Sequence, residues 1–338
     1  MMRKPKVVIL GTGGTIAGKA GSNTEMTGYQ AGEIGIQTLI NAVPEMLEVA
    51  DVTGEQFCNI GSFDMIDDIW LRLSRRVSEL LQQPEVDGIV ITHGTDTLEE
   101  TAYFLNLTVK SEKPVVLVGA MRPATAMSAD GPVNLLNAVA LAGSQEAVGK
   151  GVLIAMNDQI NGARDATKTN TTHVETFKSW ELGYLGYFQN GKPIFYKASL
   201  TPTLRTSWRG RKKAAEFDIS KVTALPRVDI VYLHVNCDDI LVRAAVSAGA
   251  LGIVIAAFGH GNLHINIKPA LIKIARSGIP VVRSTRVGNG IVSRSANDTD
   301  NKFIAADSLN PQKARILLQL ALLRTKSPEE IQRMFDEY

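Results

Sequence analysis

The chain has 338 residues, of which 45% are hydrophobic and 21% are charged, an ordinary composition for a globular protein. The formal net charge of +2 is too small to favour binding to nucleic acid or to anionic lipid. No apolar run approaches the roughly 18 residues of a membrane span, and Val7–Leu10, the apolar run behind the basic start, is too short for a signal peptide. As written, the chain is expected in the cytoplasm, or in the periplasm if a signal peptide has been removed.

Short apolar runs alternate with helical patterns along the chain. Runs of this kind are typical of buried parallel strands. The predicted strands are Val7–Leu10, Gly88–Thr92, Pro114–Gly119, Gly151–Met156, Asp229–Leu233, Gly252–Ala257 and Pro280–Arg283. The predicted helices are Asp67–Gln82, Val133–Ala142 and Pro311–Leu323, the last with Asn310 as its N-cap. This alternation predicts a doubly wound α/β architecture.

The alternation stops between residues 183 and 227, where glycine, proline and tyrosine give hairpin and linker character. We therefore expect a large N-terminal α/β domain at 1–196, a linker at 197–222 and a smaller C-terminal α/β domain at 223–338. The basic stretch Arg205–Lys213 is interpreted as a solvated connection rather than a nucleic-acid contact. Cys58 and Cys237 are predicted to be buried thiols rather than a disulfide or a metal site.

The glycine-rich turn after the first strand allows three functional interpretations. The dinucleotide pattern GxGxxG fails at Ile16. The phosphate loop GxxxxGK[ST] fails at Ala20, and it also requires a helix to begin there. In the third interpretation Thr15 carries a reactive hydroxyl at the carboxyl end of a strand, and Gly13 and Gly14 let a substrate approach the backbone. By itself the stretch is equally compatible with a plain tight turn.

A second turn of the same kind follows the strand Gly88–Thr92. Thr95 and Asp96 are expected at the same edge of the sheet as Thr15, because parallel strands end together. Alternatively, Asp96 is a helix N-cap and Glu99 completes a capping box. Lys168 follows the fourth strand and could reach these residues, although a solvated lysine is the usual alternative.

Several long motifs together resemble one enzyme family. They are TGGTIAG (12–18), THGTDTLEETAYF (92–104), GAMRP (119–123), MSADGPVNLLNAV (127–139), TKTNTT (167–172) and LNPQKARILLQLAL (309–322). Over nearly the whole chain the sequence resembles the bacterial type II L-asparaginases and glutaminase-asparaginases.

The resemblance implies a homotetramer built from intimate dimers. Each active site would lie between the large domain of one subunit and the small domain of its neighbour. The implied reaction is hydrolysis of asparagine, and variably of glutamine, to the acid and ammonia, without a metal or an organic cofactor.

The resemblance also implies roles for individual residues. Thr15 matches the nucleophile, Tyr29 matches a tyrosine on a mobile lid, and Asn262 matches an asparagine donated by the neighbouring subunit. The catalytic positions that it implies are Thr15, Tyr29, Thr95, Asp96 and Lys168. The substrate-binding positions are Ser62, Phe63, Thr95, Asp96, Ala120 and Asn262, with Ala120 acting through its backbone carbonyl.

The sequence departs from the family pattern at two positions. Phe63 stands where relatives carry Gln or Glu, so weaker asparagine binding is expected unless Phe63 turns into the core and Asp64 or a water takes over. Asn297 lies where many relatives have a nearby glutamate, and Asp298 is a candidate replacement.

These departures motivate an alternative function, a catalytically weakened protein that binds asparagine or aspartate. A nucleotide-binding protein is a second rival.

His260 and His264 form an HxxxH pair without the glutamate of HExxH and without a third ligand, so no metal site is predicted.

Overall fold

A computed structural model describes residues 3–22, 24, 29–30, 32–197 and 216–338 of the chain. The chain divides into two compact units, Met1–Ser220 and Lys221–Tyr338. Both are α/β, and the first is the larger, which confirms the predicted fold class. Most of the predicted linker at 197–222, including the basic stretch Arg205–Lys213, lies outside the described residues.

The first unit is built on one large sheet. The strands of this unit, in the large sheet and in two small ribbons, are β1 (Lys6–Gly13), β2 (Lys19–Ala20), β3 (Tyr29–Gln30), β4 (Asp51–Ile60), β5 (Gly88–Thr92), β6 (Val115–Val118), β7 (Val152–Met156), β8 (Gln159–Gly162), β9 (Thr167–Lys168), β10 (Phe177–Lys178), β11 (Gly186–Gln189) and β12 (Lys192–Phe195). The sheet order is β12-β11-β8-β7-β6-β5-β1-β4, and the β2–β3 and β9–β10 ribbons are separate. Strands β4, β1, β5, β6 and β7 are parallel, so their carboxyl ends lie at one edge.

Helices cover both faces of this sheet. They are α1 (Ile36–Asn41), α2 (Met46–Val49), α3 (Asp67–Gln82), α4 (Leu98–Thr108) and α5 (Gly131–Ala142). Successive strand residues point to opposite faces. In β1, Ile9 therefore packs in the core cluster that contains α1 and α5 residues, whereas Leu10 packs in the cluster that contains α3 and α4 residues.

The second unit is a smaller four-stranded parallel sheet in the order β13-β14-β15-β16. Its elements are β13 (Val228–Tyr232), α6 (Ile240–Ser247), β14 (Gly252–Ala257), α7 (Lys268–Arg276), β15 (Val281–Thr285), α8 (Ala296–Asn301), β16 (Phe303–Ala305), α9 (Pro311–Leu322) and α10 (Pro328–Glu337). Asn310 caps α9 as predicted, because its side chain accepts the Lys313 N–H at 3.0 Å.

Two other observations bear on the sequence predictions. Cys58 and Cys237 are free thiols, but only Cys237 is buried, so the prediction of two buried thiols is wrong for the half-buried Cys58. Within the described part of the chain, no helix combines the length and apolar character that a membrane crossing needs.

Candidate active site

The first turn of the candidate site follows β1, and two glycines shape it. Gly13 and Gly14 have φ angles of 102° and 81°, which side-chain-bearing residues rarely adopt. The Gly14 N–H donates to the carbonyl of Ile60, the last residue of β4, at 3.0 Å. Thr15 then opens a short 3-10 turn, Thr15–Ala17, and is 5% exposed. The local sequence therefore places a buried hydroxyl directly beyond the carboxyl end of a central strand.

The second turn of the candidate site follows the neighbouring strand β5 and touches the first. A Cβ atom placed on Gly14 would lie 2.3 Å from the backbone nitrogen of Gly94 and 2.4 Å from its Cα. The two glycine turns thus pack backbone against backbone. Thr95, the residue after Gly94, is also 5% exposed. The contact brings together the two turns in which Thr15 and Thr95 each follow the packed glycine, and the convergence of the two hydroxyls stays a prediction.

Ser62 joins this cluster from the end of β4. A Cβ atom on Gly94 would lie 2.6 Å from Ser62 Oγ. Ser62 Oγ accepts the Asp96 N–H at 3.2 Å, and the Thr97 hydroxyl donates to the Ser62 carbonyl at 2.7 Å. Three adjacent strands, β4, β1 and β5, therefore bring their following residues to one place.

Lys168 reaches the second turn from the β9–β10 ribbon. Its Nζ donates to Thr95 Oγ1 at 2.9 Å and to Asp96 Oδ1 at 2.6 Å. The alternative role of Asp96 as a helix N-cap is wrong, because α4 begins at Leu98 with Thr97 as its N-cap residue. The alternative of a solvated Lys168 is also wrong, because its side chain is 17% exposed and makes both contacts.

Ala120 lies in the loop after β6, the next strand of the sheet. The loop is held by Asp130, whose carboxylate accepts the N–H groups of Met121 and Arg122 at 3.0 and 2.9 Å. A Cβ atom on Gly131 would lie 3.1 Å from Ile16 Cγ1 and 3.5 Å from Ala120 Cβ. The buried Ala120 therefore packs close to the turn that carries Thr15.

Sequence reasoning missed a buried hydrogen-bond chain behind the second turn. His93 is fully buried, and this desolvation lowers its pKa to about 4, so its ring is neutral. His93 Nδ1 lies 2.7 Å from the Gly94 carbonyl, which can only accept, so we assign the ring proton to Nδ1. His93 Nε2 then accepts from the Thr101 hydroxyl at 2.9 Å, whose oxygen accepts from Trp70 Nε1 at 2.8 Å. These hydrogen bonds hold the Gly94 carbonyl in place, and with it the turn that carries Thr95.

Glu99 is a second residue that sequence reasoning did not place in the site. It is 4% exposed, and its Oε2 accepts the backbone N–H of Lys168 at 3.0 Å. The sequence had suggested it only as part of a capping box with Asp96. The structure shows a contact between residues 69 positions apart, for which the local sequence carries no signal.

Phe63 and Tyr29 are the two remaining predicted site residues of the first unit. Phe63 follows Ser62 but is 71% exposed, and its ring folds back over Gly61, where a Cβ atom would lie 2.6 Å from Cζ. The alternative that Phe63 turns into the core is therefore wrong. The backbone of Tyr29 pairs with Ala20 in the β2–β3 ribbon, whereas its side chain lies outside what the structure describes.

Asn262 belongs to the second unit and is exposed there, in a turn that Phe258 and Asn262 close with two backbone hydrogen bonds of 3.1 and 2.8 Å. A cavity of about 300 Å³ in that unit is lined by Asn262, Asn297 and Asp298, among others. Asp298 is buried and pairs with Arg283, with Oδ2 2.6 Å from Nη2.

Asp298 Oδ2 also accepts from the backbone N–H and the hydroxyl of Ser295, both at 2.8 Å. These contacts occupy the carboxylate, which contradicts the suggestion that Asp298 replaces the family glutamate.

Two other interpretations of the sequence concern a phosphate loop at Gly13–Lys19 and a metal site at His260 and His264. Gly18 is followed by strand β2 at Lys19–Ala20, where the phosphate-loop interpretation requires a helix to begin. Among the residues that the structure describes, no three His, Cys, Asp or Glu side chains form a cluster suited to a metal ion. His260 Nε2 instead lies 2.8 Å from Ser293 Oγ.

Comparisons with known proteins agree with this architecture. Residues 6–201 match the family described as Asparaginase, N-terminal, and residues 227–335 match the one described as Glutaminase/Asparaginase C-terminal domain. L-asparaginase 2 of Bacillus subtilis is 51% identical over 334 residues, which are 99% of this chain and 87% of that protein. A Haemophilus influenzae protein named "Probable L-asparaginase periplasmic" is 49% identical over 99% of this chain and 93% of its own length.

A solved structure from Campylobacter jejuni, titled "Probable Cytoplasmic L-asparaginase", is 50% identical and matches with a TM-score of 0.93 over 99% of this chain and 100% of its own. The names of these similar proteins thus refer to the periplasm in one case and to the cytoplasm in another. The resemblance drawn from the motifs is confirmed, and the chain belongs to the glutaminase/asparaginase family.

Proposed function

We propose that this protein is an L-asparaginase, which hydrolyses L-asparagine to L-aspartate and ammonia and accepts L-glutamine as a second substrate. Family membership and relatives named L-asparaginase support the reaction class. The single observation that carries the proposal is the backbone contact between Gly14 and Gly94, because it supports a convergence of the buried residues Thr15 and Thr95 at one sheet edge. Open α/β sheets bind their ligands at that edge.

In the proposed first half-reaction, Thr15 Oγ attacks the carbonyl carbon of the substrate side-chain amide. A threonine hydroxyl is a weak nucleophile until a base takes its proton, and we assign that role to Tyr29. The proton passes to the amide nitrogen as the C–N bond breaks, so ammonia leaves and an ester on Thr15 remains. The pairing of Tyr29 with Ala20, five residues beyond Thr15, supports this assignment.

In the proposed second half-reaction, a water attacks the ester, aspartate leaves and Thr15 regains its proton. The contacts of Lys168 support a role for Thr95 in this step. Because Lys168 Nζ donates to Thr95 Oγ1, the hydroxyl proton of Thr95 can point to the attacking water or to the substrate. Asp96 holds the other side of the Lys168 ammonium group. Only side chains and water take part, so the proposal needs neither metal nor organic cofactor.

The substrate is a zwitterion, and the cluster offers partners for both charges. Asp96 is 56% exposed at its side chain, so its carboxylate can accept from the substrate ammonium group while it pairs with Lys168. Ser62 Oγ accepts the Asp96 N–H, so its own hydroxyl proton can donate to the substrate carboxylate. Phe63 supplies no acceptor where relatives have Gln or Glu, and the backbone carbonyl of Ala120 is proposed to face the substrate amide.

We also propose a homotetramer built from intimate dimers, in which Asn262 of the partner subunit completes each site. The family resemblance supports this assembly. A cytoplasmic location likewise stays a proposal, and sequencing the amino terminus of the natural protein tests it.

Steady-state ammonia release from asparagine and glutamine tests the function, with Thr15→Ala as the inactive variant and Thr15→Ser as its matched control. Thr15→Ala is expected to fold, to assemble and to lose nearly all turnover, whereas Thr15→Ser keeps a hydroxyl and part of the rate. Asparagine that binds to the wild type without ammonia release would instead support the weakened binding protein.

A mixing experiment tests the shared site. Thr15→Ala and Asn262→Ala subunits, each inactive alone, are expected to regain turnover when they are dissociated and reassembled together. In a mixed dimer, one of the two sites combines an intact Thr15 with an intact Asn262. No recovery after confirmed mixing would refute the contribution of Asn262 across subunits.

A further inference from the structure

Lys168 lies in the β9–β10 ribbon, which is too small to fix the position of its backbone by itself. Strands β9 and β10 are two residues long and form a sheet separate from the large one. Two-stranded ribbons of this kind are marginally stable at best in water. The position of the Lys168 backbone must therefore depend on contacts outside the ribbon.

Glu99 supplies such a contact from the first turn of α4. Glutamate is rarely fully buried unless it is paired, yet Glu99 is 4% exposed. The amino-terminal end of a helix favours a negative charge, which helps α4 to accommodate this carboxylate. Its Oε2 accepts the Lys168 N–H at 3.0 Å. A hydrogen bond from a backbone N–H to a carboxylate is charge-assisted and stronger than one between neutral groups.

The beginning of α4 thus holds Lys168 at both ends. Glu99 binds its backbone, while Thr95 and Asp96, just before the helix, bind its Nζ at 2.9 and 2.6 Å. All of these partners belong to one short segment. A shift of the Lys168 backbone away from this segment would draw Nζ from the hydroxyl that it contacts.

We infer that Glu99 is a positioning residue for the reaction, which acts by fixing the Lys168 backbone so that Nζ stays on Thr95 and Asp96. The inference rests on the proposed function, since it assigns Lys168 a part in turnover. Glu99 itself touches no substrate in this proposal. Its contribution should therefore disappear when Lys168 can no longer make its contacts.

A double-mutant cycle on turnover tests this dependence. Glu99→Ala is expected to lower kcat by about 10- to 100-fold through misplacement of Lys168. Glu99→Gln keeps an acceptor oxygen and is expected to stay within about 3-fold of the wild type. Glu100→Ala, the neighbouring carboxylate of the same helical turn, is the control. In a Lys168→Met background, Glu99→Ala should change kcat by less than about 2-fold, because the two residues act as one unit.

A purely structural Glu99 would give a different result. Its loss would multiply the Lys168→Met defect by the same factor as in the wild type, and that outcome overturns the inference. Unchanged kcat in Glu99→Ala, or in Lys168→Met alone, overturns it as well.

Amide hydrogen exchange at Lys168 provides a readout that needs no activity. Exchange is expected to be at least about 10-fold faster in Glu99→Ala than in the wild type and in Glu100→Ala. Equal exchange in all three proteins would refute the anchoring contact. If Glu99→Ala fails to fold, Glu99→Asp, whose shorter side chain withdraws the carboxylate, takes its place. A wild type that releases no ammonia would refute the proposed function, and the exchange measurement would still decide the role of Glu99.

Discussion

The contact between the two glycine turns makes a sharp prediction for Gly14→Ala. A new Cβ atom would lie 2.3 Å from the backbone nitrogen of Gly94, whereas ordinary contacts begin near 3.4 Å. The turns must therefore separate by about 1 Å, a displacement that can cost about 100-fold in rate at a catalytic site. The positive φ of 81° adds strain of about 1–3 kcal/mol, and overpacking adds about 1–3 kcal/mol more.

Gly191→Ala is the matched control for this experiment. Gly191 also has a positive φ, 71°, but a Cβ atom there would meet nothing within 4 Å. It is expected to cost about 1–2 kcal/mol of backbone strain and to leave kcat unchanged. Urea denaturation and ammonia release are measured on both variants. If Gly14→Ala retains the stability and the kcat of Gly191→Ala, the two turns do not touch and the proposed convergence of Thr15 and Thr95 is refuted.

Three further substitutions test other parts of the molecule. Phe63→Gln introduces a hydrogen-bonding side chain beside Ser62 and should lower the KM for asparagine by about 5- to 150-fold, equivalent to about 1–3 kcal/mol; an unchanged KM would show that Phe63 does not weaken binding. Burial lowers the pKa of His93 from 6.5 to about 4, so the unfolded chain takes up the proton first and the wild type loses stability as the pH falls through that window. The expected loss of unfolding free energy is on the order of 3 kcal/mol, from 2.5 pH units at about 1.4 kcal/mol each. Urea titrations at several pH values should show that His93→Gln lacks this loss. Equal acid sensitivity of the two proteins would contradict the prediction. Asp298→Ala leaves the buried Arg283 guanidinium without its carboxylate partner and should lower the unfolding free energy by about 3–5 kcal/mol. Asp300→Ala removes an exposed carboxylate from the same helix and should leave the unfolding free energy unchanged. Equal urea midpoints for the two variants would refute a stabilising role for the Arg283–Asp298 pair.

The sequence predicted those parts of the fold in which local pattern and burial coincide. The bounds of β5, β14 and α3 agree with prediction, because a continuous apolar run marks each strand and a helical apolar period marks α3. The ten-residue strand β4 was missed, since it pairs with one neighbour at the sheet edge and its sequence DVTGEQFCNI is largely polar and accessible.

The same distinction applies to the site. The two threonine turns were predicted because glycine and hydroxyl residues after a strand form a local pattern. Glu99 and His93 were not placed there, because their importance comes from partners that only the fold brings together. Glu99 meets a backbone N–H 69 positions away, and the His93 chain ends at Trp70 on a different helix.

The contact between the turns also accounts for the positions of the proposed reactive threonines, each of which follows the glycine that makes the contact. A contact between Gly14 and Gly94 has no side-chain torsions, so it fixes the separation of the turns more rigidly than interlocking rotamers could. The spacing of the turns therefore limits how far apart Thr15 and Thr95, one position further along, can lie. A site that stabilises developing charge benefits from groups that need not reorganise during the reaction. We therefore propose that backbone packing sets the geometry of the site, and that side-chain contacts such as those of Lys168 orient the individual groups within it.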